Sequence, residues 1–528
     1  MSSSILNSEQ TTLISSHSIN NQLMNSTIDD SNHDSLNQNE INHSKKLIKT
    51  RTPIPYRALG VLCVMRVTEP ISYTLIFPFI TRMLEDLKVT QDSKEIGYYA
   101  GLIESLFAIA QFCTAIFWGR LSDRIGRKPV MLTGLFGMAI GVISFGLQKS
   151  FMGLAISRSI AGMMNGNVAI VQSMVSEITD STNFADTAAY LPICFAVGSI
   201  IGPILGGYLA LPAQQFPNLF GNCTFLKEYP YFLPCLIGGL LNFVAIILGI
   251  FFLEETLESK RKSKPNLPKN SFPNYGTLSD SNRSSNSTSP VTLTQDSKLE
   301  PPSIRSLCTK PIMMVMLSFT LTHFQNIAWA ATMPVYGYTK IENGGLGLSL
   351  DQIGFMLSTS GFGSIVVQLW LFSPLQRKLG VVRLFQYTLF CFTITYMCLP
   401  LVSYLARLPT NTTSKTVTYM AIVFALRSPH VMCYVCNLMM TNMLAPNPRA
   451  LGTLNGISQV GRSFAQALAP LAGSSLYAFG ISKTPLRDSF VWLVMTFACL
   501  LAHWFSFMID RKSFEGKENR STSDRNEA

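Results

Sequence analysis

Six polar side chains stand inside stretches that are otherwise apolar. Arg66 and Glu69 lie within the run 57–82, Glu104 and Gln111 within 97–118, Arg158 within 151–176 and Arg427 within 416–440. A charge at mid-bilayer costs roughly 2.5–3.5 kcal/mol on insertion scales, so such groups pair or face a cavity. Arg66 and Glu69 are three residues apart and can share a helix face. A carboxyl whose surroundings alternate between dry and aqueous can load and release a proton. Glu69 or Glu104 is therefore a candidate for binding a coupling proton, and the competing reading is a static ion pair that fixes helix packing. Arg158 and Arg427 could hold an anionic substrate or these acids, or serve as structural hydrogen-bond hubs.

No other chemistry competes with this reading. His430, Cys433 and Cys436 are spaced three apart, but no carboxylate accompanies them, and apolar packing accounts for cysteine. His323 and His503 stand singly in apolar runs, where packing accounts for them. The sequence has no paired histidines at metal-ligand spacing, no G-x-S-x-G and no nucleotide-binding loop, so neither an enzyme, a primary pump nor a cofactor or metal site is expected.

These residues need a membrane scaffold to position them. Of 528 residues, 48% are hydrophobic and 13% charged, against about 25% charged in soluble domains. About twelve apolar runs reach the length of a bilayer span, near 57–82, 97–118, 130–148, 151–176, 187–210, 231–253, 311–336, 352–373, 382–404, 416–440, 452–479 and 488–509. Residues 1–55 read as a disordered tail with no apolar leader, 56–257 and 309–510 as two bundles of six helices, 258–308 as a polar linker, and 511–528 as a second tail. The net charge is +11. The basic residues cluster between spans, which is the positive-inside pattern rather than a nucleic-acid surface. Lys45, Lys46, Lys49, Arg51, Arg120, Arg124, Arg377, Lys378, Arg511 and Lys512 all fall on one side if both termini are cytosolic. The sequons at Asn222 and Asn411 then fall on the opposite side as candidate glycosylation sites.

The two halves read as weak parallel repeats. Gly119 to Gly126 follows span two as Ser373 to Gly380 follows span eight. Arg158-Ser159 corresponds to Arg427-Ser428, Phe77-Pro78 to Met333-Pro334, and Gly202-Pro203 with Gly206 to Ala469-Pro470 with Gly473. In that register Thr322 and Gln325 replace Arg66 and Glu69, so the ionisable groups concentrate in the first half. Within span five, Gly198, Gly202 and Gly206 are four apart, which puts them on one face for close helix approach. Pro203 can kink that helix. The 2–3 connection, with Gly119, Asp123, Arg124, Gly126, Arg127 and Lys128, reads as a charged latch that holds one conformation and releases it in another.

The connection Trp118-Gly119-Arg120-Leu121-Ser122-Asp123-Arg124-Ile125-Gly126-Arg127-Lys128-Pro129 resembles the loop motif of the major facilitator superfamily. Gly198 to Gly207, with Gly202, Pro203, Gly206 and Gly207, looks like the span-five motif of its antiporters. Arg158, Gly162 and Gly166 are similar to its span-four motif, and Leu253-Glu254-Glu255-Thr256-Leu257 closes span six in the family manner. Trp118-Gly119 and Gly452-Thr453-Leu454-Asn455-Gly456 look most like the zinc-induced facilitator-like branch of the twelve-span drug:proton antiporter group. The chain departs from plant members of that branch in having no cysteine before Cys63 and Glu258 after Leu257. The resemblance spans about residues 55–510 and implies a functional monomer.

The expected fold is an all-α membrane protein with about twelve transmembrane helices in two pseudo-repeat six-helix bundles. The expected function is proton-coupled antiport or efflux of a small organic molecule by alternating access. Its partners are that substrate, protons and the bilayer, and no nucleic acid. A non-transporting sensor or a facilitated-diffusion carrier of the same fold is the alternative. The plasma membrane, vacuole, Golgi and endoplasmic reticulum all fit the sequence.

Overall fold

Proline, glycine and buried polar groups decide where the helices of the computed structural model bend. The structure describes residues 53–179, 190–257, 309–409, 412–444 and 448–509, with Asn183, Thr187, Arg511 and Phe514. The expected linker, both tails and Asn411 lie essentially outside the described residues.

The described residues form helices and turns without a strand. Span one is Tyr56–Thr74, a turn, and Ile80–Asp86. Spans two and three are Ile96–Ile125 and Arg127–Gly146. Span four is Phe151–Met164 followed by Asn167–Ile178. Spans five and six are Tyr190–Leu209 and Phe232–Phe252. The second half repeats the pattern. Span seven is Lys310–Tyr338, span eight runs from Leu350 to Leu379 through one wider turn, and span nine is Val381–Ala406. Span ten is Thr413–Arg427 and Met432–Leu444 about a tight turn, followed by span eleven, Pro448–Lys483, and span twelve, Ser489–Phe507. Among the described residues, nine of these segments are long and apolar enough to cross a membrane by themselves. Spans one and four fall short because each is broken. Span seven does so because Thr322, His323, Gln325 and Asn326 interrupt its apolar run.

Three expected boundaries are corrected. Span one is not continuous over 57–82: Pro78 has no N–H to donate, and the chain turns through Leu75–Phe79 with short-range bonds from Phe77 N to Thr74 O and from Phe79 N to Ile76 O, both 3.2 Å. Span four breaks at Asn165–Gly166, where a Cβ on Gly166 would run into the Trp118 ring. Span two does not stop at 118. Nothing before Gly126 breaks the helix, so most of the expected 2–3 loop is helical. The connection narrows to Gly126, whose φ of 112° favours glycine.

One apolar core joins the two halves at the end remote from the basic loops. It includes Leu75, Phe79, Ile103 and Phe107 from the first half, and Trp329, Tyr336, Ile353 and Tyr477 from the second. Toward the basic end each half has its own core, around Met65, Met131 and Met174 in the first and Phe385, Cys433 and Met440 in the second. The seam at the remote end is close-packed. Gly97 and Gly101 of span two face Ser474 and Pro470 of span eleven, and Gly207 of span five faces Leu350 and Gly354 of span eight. Ser105 Oγ accepts from Leu471 N at 3.0 Å, and Ser358 Oγ donates to Ile200 O at 2.8 Å. Tyr338 OH accepts from Arg82 at 3.1 Å and donates to Glu85. Beyond the seam the same helices leave Phe112, Ile116, Phe362, Trp370, Val460 and Phe464 exposed. The halves thus meet at one end and part toward the other.

Candidate transport site

The stripe on span five sets the position of span one. Side chains at Gly198, Gly202 or Gly206 would collide with Pro70, Thr74 and the Leu75 carbonyl, respectively. Pro203 stays within a continuous helix. Gly119, by contrast, faces open space. Gly206→Val is therefore expected to leave little folded protein by size-exclusion chromatography, because the obstacle is backbone that cannot swing aside. Gly119→Ala is expected to fold and transport within about twofold of the parent, consistent with the small effect of surface substitutions.

Span one carries Glu69 to the point where span four is broken. Glu69 accepts from Arg66 and, at 3.0 Å, from Asn165 Nδ2. The break leaves carbonyls without helical partners, which must be satisfied inside the protein. Span two supplies the donors. Gln111 Nε2 reaches Asn165 O at 3.2 Å, Thr114 Oγ1 reaches Met163 O at 2.9 Å, and Trp118 Nε1 reaches the same oxygen at 2.5 Å. Arg66, Glu69 and Gln111 are thereby gathered around Asn165, a residue the sequence reading missed. Its signal was a polar side chain beside Gly166 within an apolar run.

Glu104 and Arg158 form a separate site. Arg158 Nη2 donates to both oxygens of Glu104, at 3.2 and 3.0 Å, and to Tyr73 O at 3.3 Å. Its guanidinium lies 4.5 Å from the Phe107 ring centre and 5.2 Å from that of Tyr73. Exposure is 2% for Glu104 and 1% for Arg158, so the pair is sealed. Arg158 serves Glu104 and not Glu69. The side chains at Arg66 and Glu69 retain 12% and 9% exposure. Of the two carboxylates, Glu69 is the more accessible.

Arg427 lies in span ten of the second half. It donates to Ser360 Oγ at 2.8 Å and to Asn326 Oδ1, and lies 5.2 Å from the Trp329 ring centre and 5.7 Å from that of Phe392. His430 packs on Phe392 with ring centres 4.0 Å apart, and Cys433 lies 2.9 Å from Thr388 Oγ1. Among the described residues no group of three metal-binding side chains converges.

At the basic end Arg127 pairs with Asp123 at 2.7 Å and with Glu177 at 3.0 Å. Glu255 accepts from the backbone N–H of Arg127 at 2.9 Å and of Lys128 at 3.1 Å. It caps span three, where orphan donors and the helix dipole favour a carboxylate. A side chain at Gly126 would displace that cap. Lys128 Nζ donates to Ile250 O at 2.8 Å. Arg124 points outward, and the Asp123 side chain is 62% exposed, so its pair contributes little by itself. These contacts tie spans two, three, four and six of one half to each other. Glu177 was not singled out in the sequence, since only the folded chain brings span four beside Arg127. Asn222 lies exposed in a turn at the remote end.

The sequence profile of the Major Facilitator Superfamily matches residues 62–470. The chain belongs to the major facilitator superfamily. It is 34% identical to "Major facilitator-type transporter psiT2" of Psilocybe cyanescens, over 87% of this chain and 91% of that one. It is 32% identical to "Major facilitator superfamily multidrug transporter mfsB" of Aspergillus fumigatus, over 81% and 79%. Against "Protein ZINC INDUCED FACILITATOR-LIKE 1" of Arabidopsis thaliana the identity is 25%, over 85% and 88%. Both the multidrug and the zinc-induced facilitator-like resemblances therefore hold. A crystal structure of a D-xylose-proton symporter superposes with a TM-score of 0.64 over 87% of this chain and 99% of that one, at 12% identity. This major facilitator protein is thus a multi-pass membrane transporter rather than an enzyme, with two six-helix halves.

Proposed function

We propose that the protein exports a small organic molecule in exchange for protons, with Glu69 as the proton-carrying group. The observation that carries this reading is the buried Glu69 carboxylate, more accessible than that of Glu104 and held by span one's Arg66 and by Asn165 at the break in span four. Placing the basic loops in the cytosol makes this conformation closed on the far side and open inward. Glu69 paired with Arg66 is then the deprotonated, substrate-receiving form. Rocking of the halves about the seam exposes the site to the opposite side. There substrate leaves and Glu69 takes a proton, which dissolves the Arg66 pair. The return swing delivers the proton to the cytosol, and Arg66 and Asn165 reclaim the carboxylate. Glu104 and Arg158, sealed beside the Ser105–Leu471 contact, hold the first half together during the swing. The multidrug transporter among the relatives supports an organic substrate.

Proton flux in sealed vesicles bearing the purified protein tests the proposal. Candidate substrates are added under an imposed pH gradient and the internal pH is followed. Substrate-dependent proton movement is expected. Substrate equilibration with no proton movement would identify a facilitated-diffusion carrier instead.

A further inference from the structure

The two halves treat buried cations differently. In the first half Arg66 has Glu69, Arg158 has Glu104, and Arg127 has Asp123 and Glu177. In the second half, the acids between Lys310 and Ile509 are Glu342, Asp351 and Asp488. All three sit at the remote end: Glu342 in the turn Ile341–Asn343, Asp351 in the first turn of span eight, and Asp488 at the start of span twelve, paired with Arg407 at 2.5 Å. None reaches the interior of a span. Arg427 nevertheless stands inside span ten and Arg462 inside span eleven. The contacts of Arg427 are with neutral groups: Ser360, Asn326 and the rings of Trp329 and Phe392. Arg462 lies 5.8 Å from the Phe319 ring centre. The buried Nε atoms of both have no hydrogen-bond partner.

An arginine in a span without a counter-charge is costly, and ring faces return only part of that cost. The two cations lie on either side of Tyr434, which is half-buried, while Phe319, His323 and His430 around it are buried. Phe319 and Tyr434 meet edge to face at 5.8 Å, His323 Nδ1 lies 3.2 Å from Tyr434 OH, and His430 adjoins Tyr434 at 5.7 Å. Both arginines keep partial exposure. Ser360 adjoins the level where Gly361 and Ser358 touch Ile200 of span five. Through Ser360, Arg427 therefore sits beside the seam between the halves.

We propose that the substrate is an aromatic or apolar molecule bearing an anionic group, a carboxylate, sulfonate or phosphate, which Arg427 and Arg462 bind on the second half. This deepens the exporter reading and rests on it. The guanidinium fork matches these anions with paired donors, and the half-buried Tyr434 ring between the two arginines offers a face to the apolar body. Proton chemistry on the first half and anion binding on the second then occupy separate surfaces of one cavity.

The test is calorimetric titration of the purified full chain in phosphatidylcholine nanodiscs at a single pH, with no gradient. Naphthoate, naphthalene sulfonate and naphthyl phosphate are compared with naphthamide and naphthylmethylammonium. At least one anion is expected to bind about tenfold or more tightly than the neutral and cationic analogues, the scale of a hydrogen bond to a charged group. Arg427→Gln and Arg462→Gln are each expected to remove that preference, so that the anions bind no more tightly than naphthamide does to the same variant. If Arg427→Gln does not fold, Arg462→Gln decides, since its partly exposed side chain makes no described ion pair. Anions binding no better than their neutral counterparts, or both variants retaining full preference, would overturn the proposal. So would displacement of the probe by phosphatidylglycerol with that lipid retained only by the parent chain, which would make a lipid headgroup the occupant. An anion that binds but drives no proton flux would overturn the antiport reading and leave this one standing.

Discussion

In vesicles carrying Glu69→Gln, substrate accumulation driven by a pH gradient is expected to fall by about a hundredfold or more, the scale lost with a positioned proton-transfer group. Exchange of labelled for unlabelled substrate across the same membrane, without a gradient, is expected to continue. The reason lies in the local geometry. Gln matches Glu in size and can still accept from Asn165 Nδ2, so the join between spans one and four survives. What it cannot do is alternate between a carboxylate paired to Arg66 and a neutral acid. A variant that lost exchange and accumulation together would be damaged in substrate binding or folding. A variant that kept full accumulation would remove Glu69 from the coupling step and direct attention to Glu104.

Arg158→Ala is expected to be the most destabilising of the charge substitutions, by about 3–5 kcal/mol, because it strands a buried carboxylate. Glu104 is 2% exposed and takes both of its described side-chain hydrogen bonds from Arg158. The loss would be read as a lower thermal midpoint of the purified protein and a smaller folded fraction. Replacing both partners together, Glu104→Leu with Arg158→Met, is expected to recover most of that stability, since an apolar pair of similar size has no charge to desolvate. The double variant then separates the two roles. Recovered folding with recovered transport would make the pair a packing device. Recovered folding with transport still lost would give it a part in the conformational cycle.

The contrast between these sites was only partly legible in the chain. Arg66 and Glu69 could be paired from their spacing, because three residues along a helix bring side chains onto one face. The partner of Arg158 could not be assigned this way: Glu104 is on another helix, and in sequence Glu69 was an equal candidate. Asn165 was illegible for a related reason. An asparagine in an apolar run acquires a role only when the helix breaks beside it and exposes carbonyls to span two. The role of Glu255 is equally positional. As part of the segment closing span six it is one acid among two, and folding alone sets it against the first N–H groups of span three.

Composition, run length and the order of short repeated motifs determined the membrane class, twelve spans and two related halves. Those properties rest on local physics: an apolar helix of sufficient length partitions into a bilayer whatever its neighbours are. The placement of basic residues carried the expected orientation in the same way. Tertiary structure decided which acid meets which arginine, that the seam is closed at one end, and that, among the described residues, Arg427 and Arg462 of the second half meet no acid. Each of these depends on side chains far apart in sequence meeting across helices, with packing of glycine against backbone setting the distances. Hydrophobic periodicity records which face of a helix is buried, but not against what.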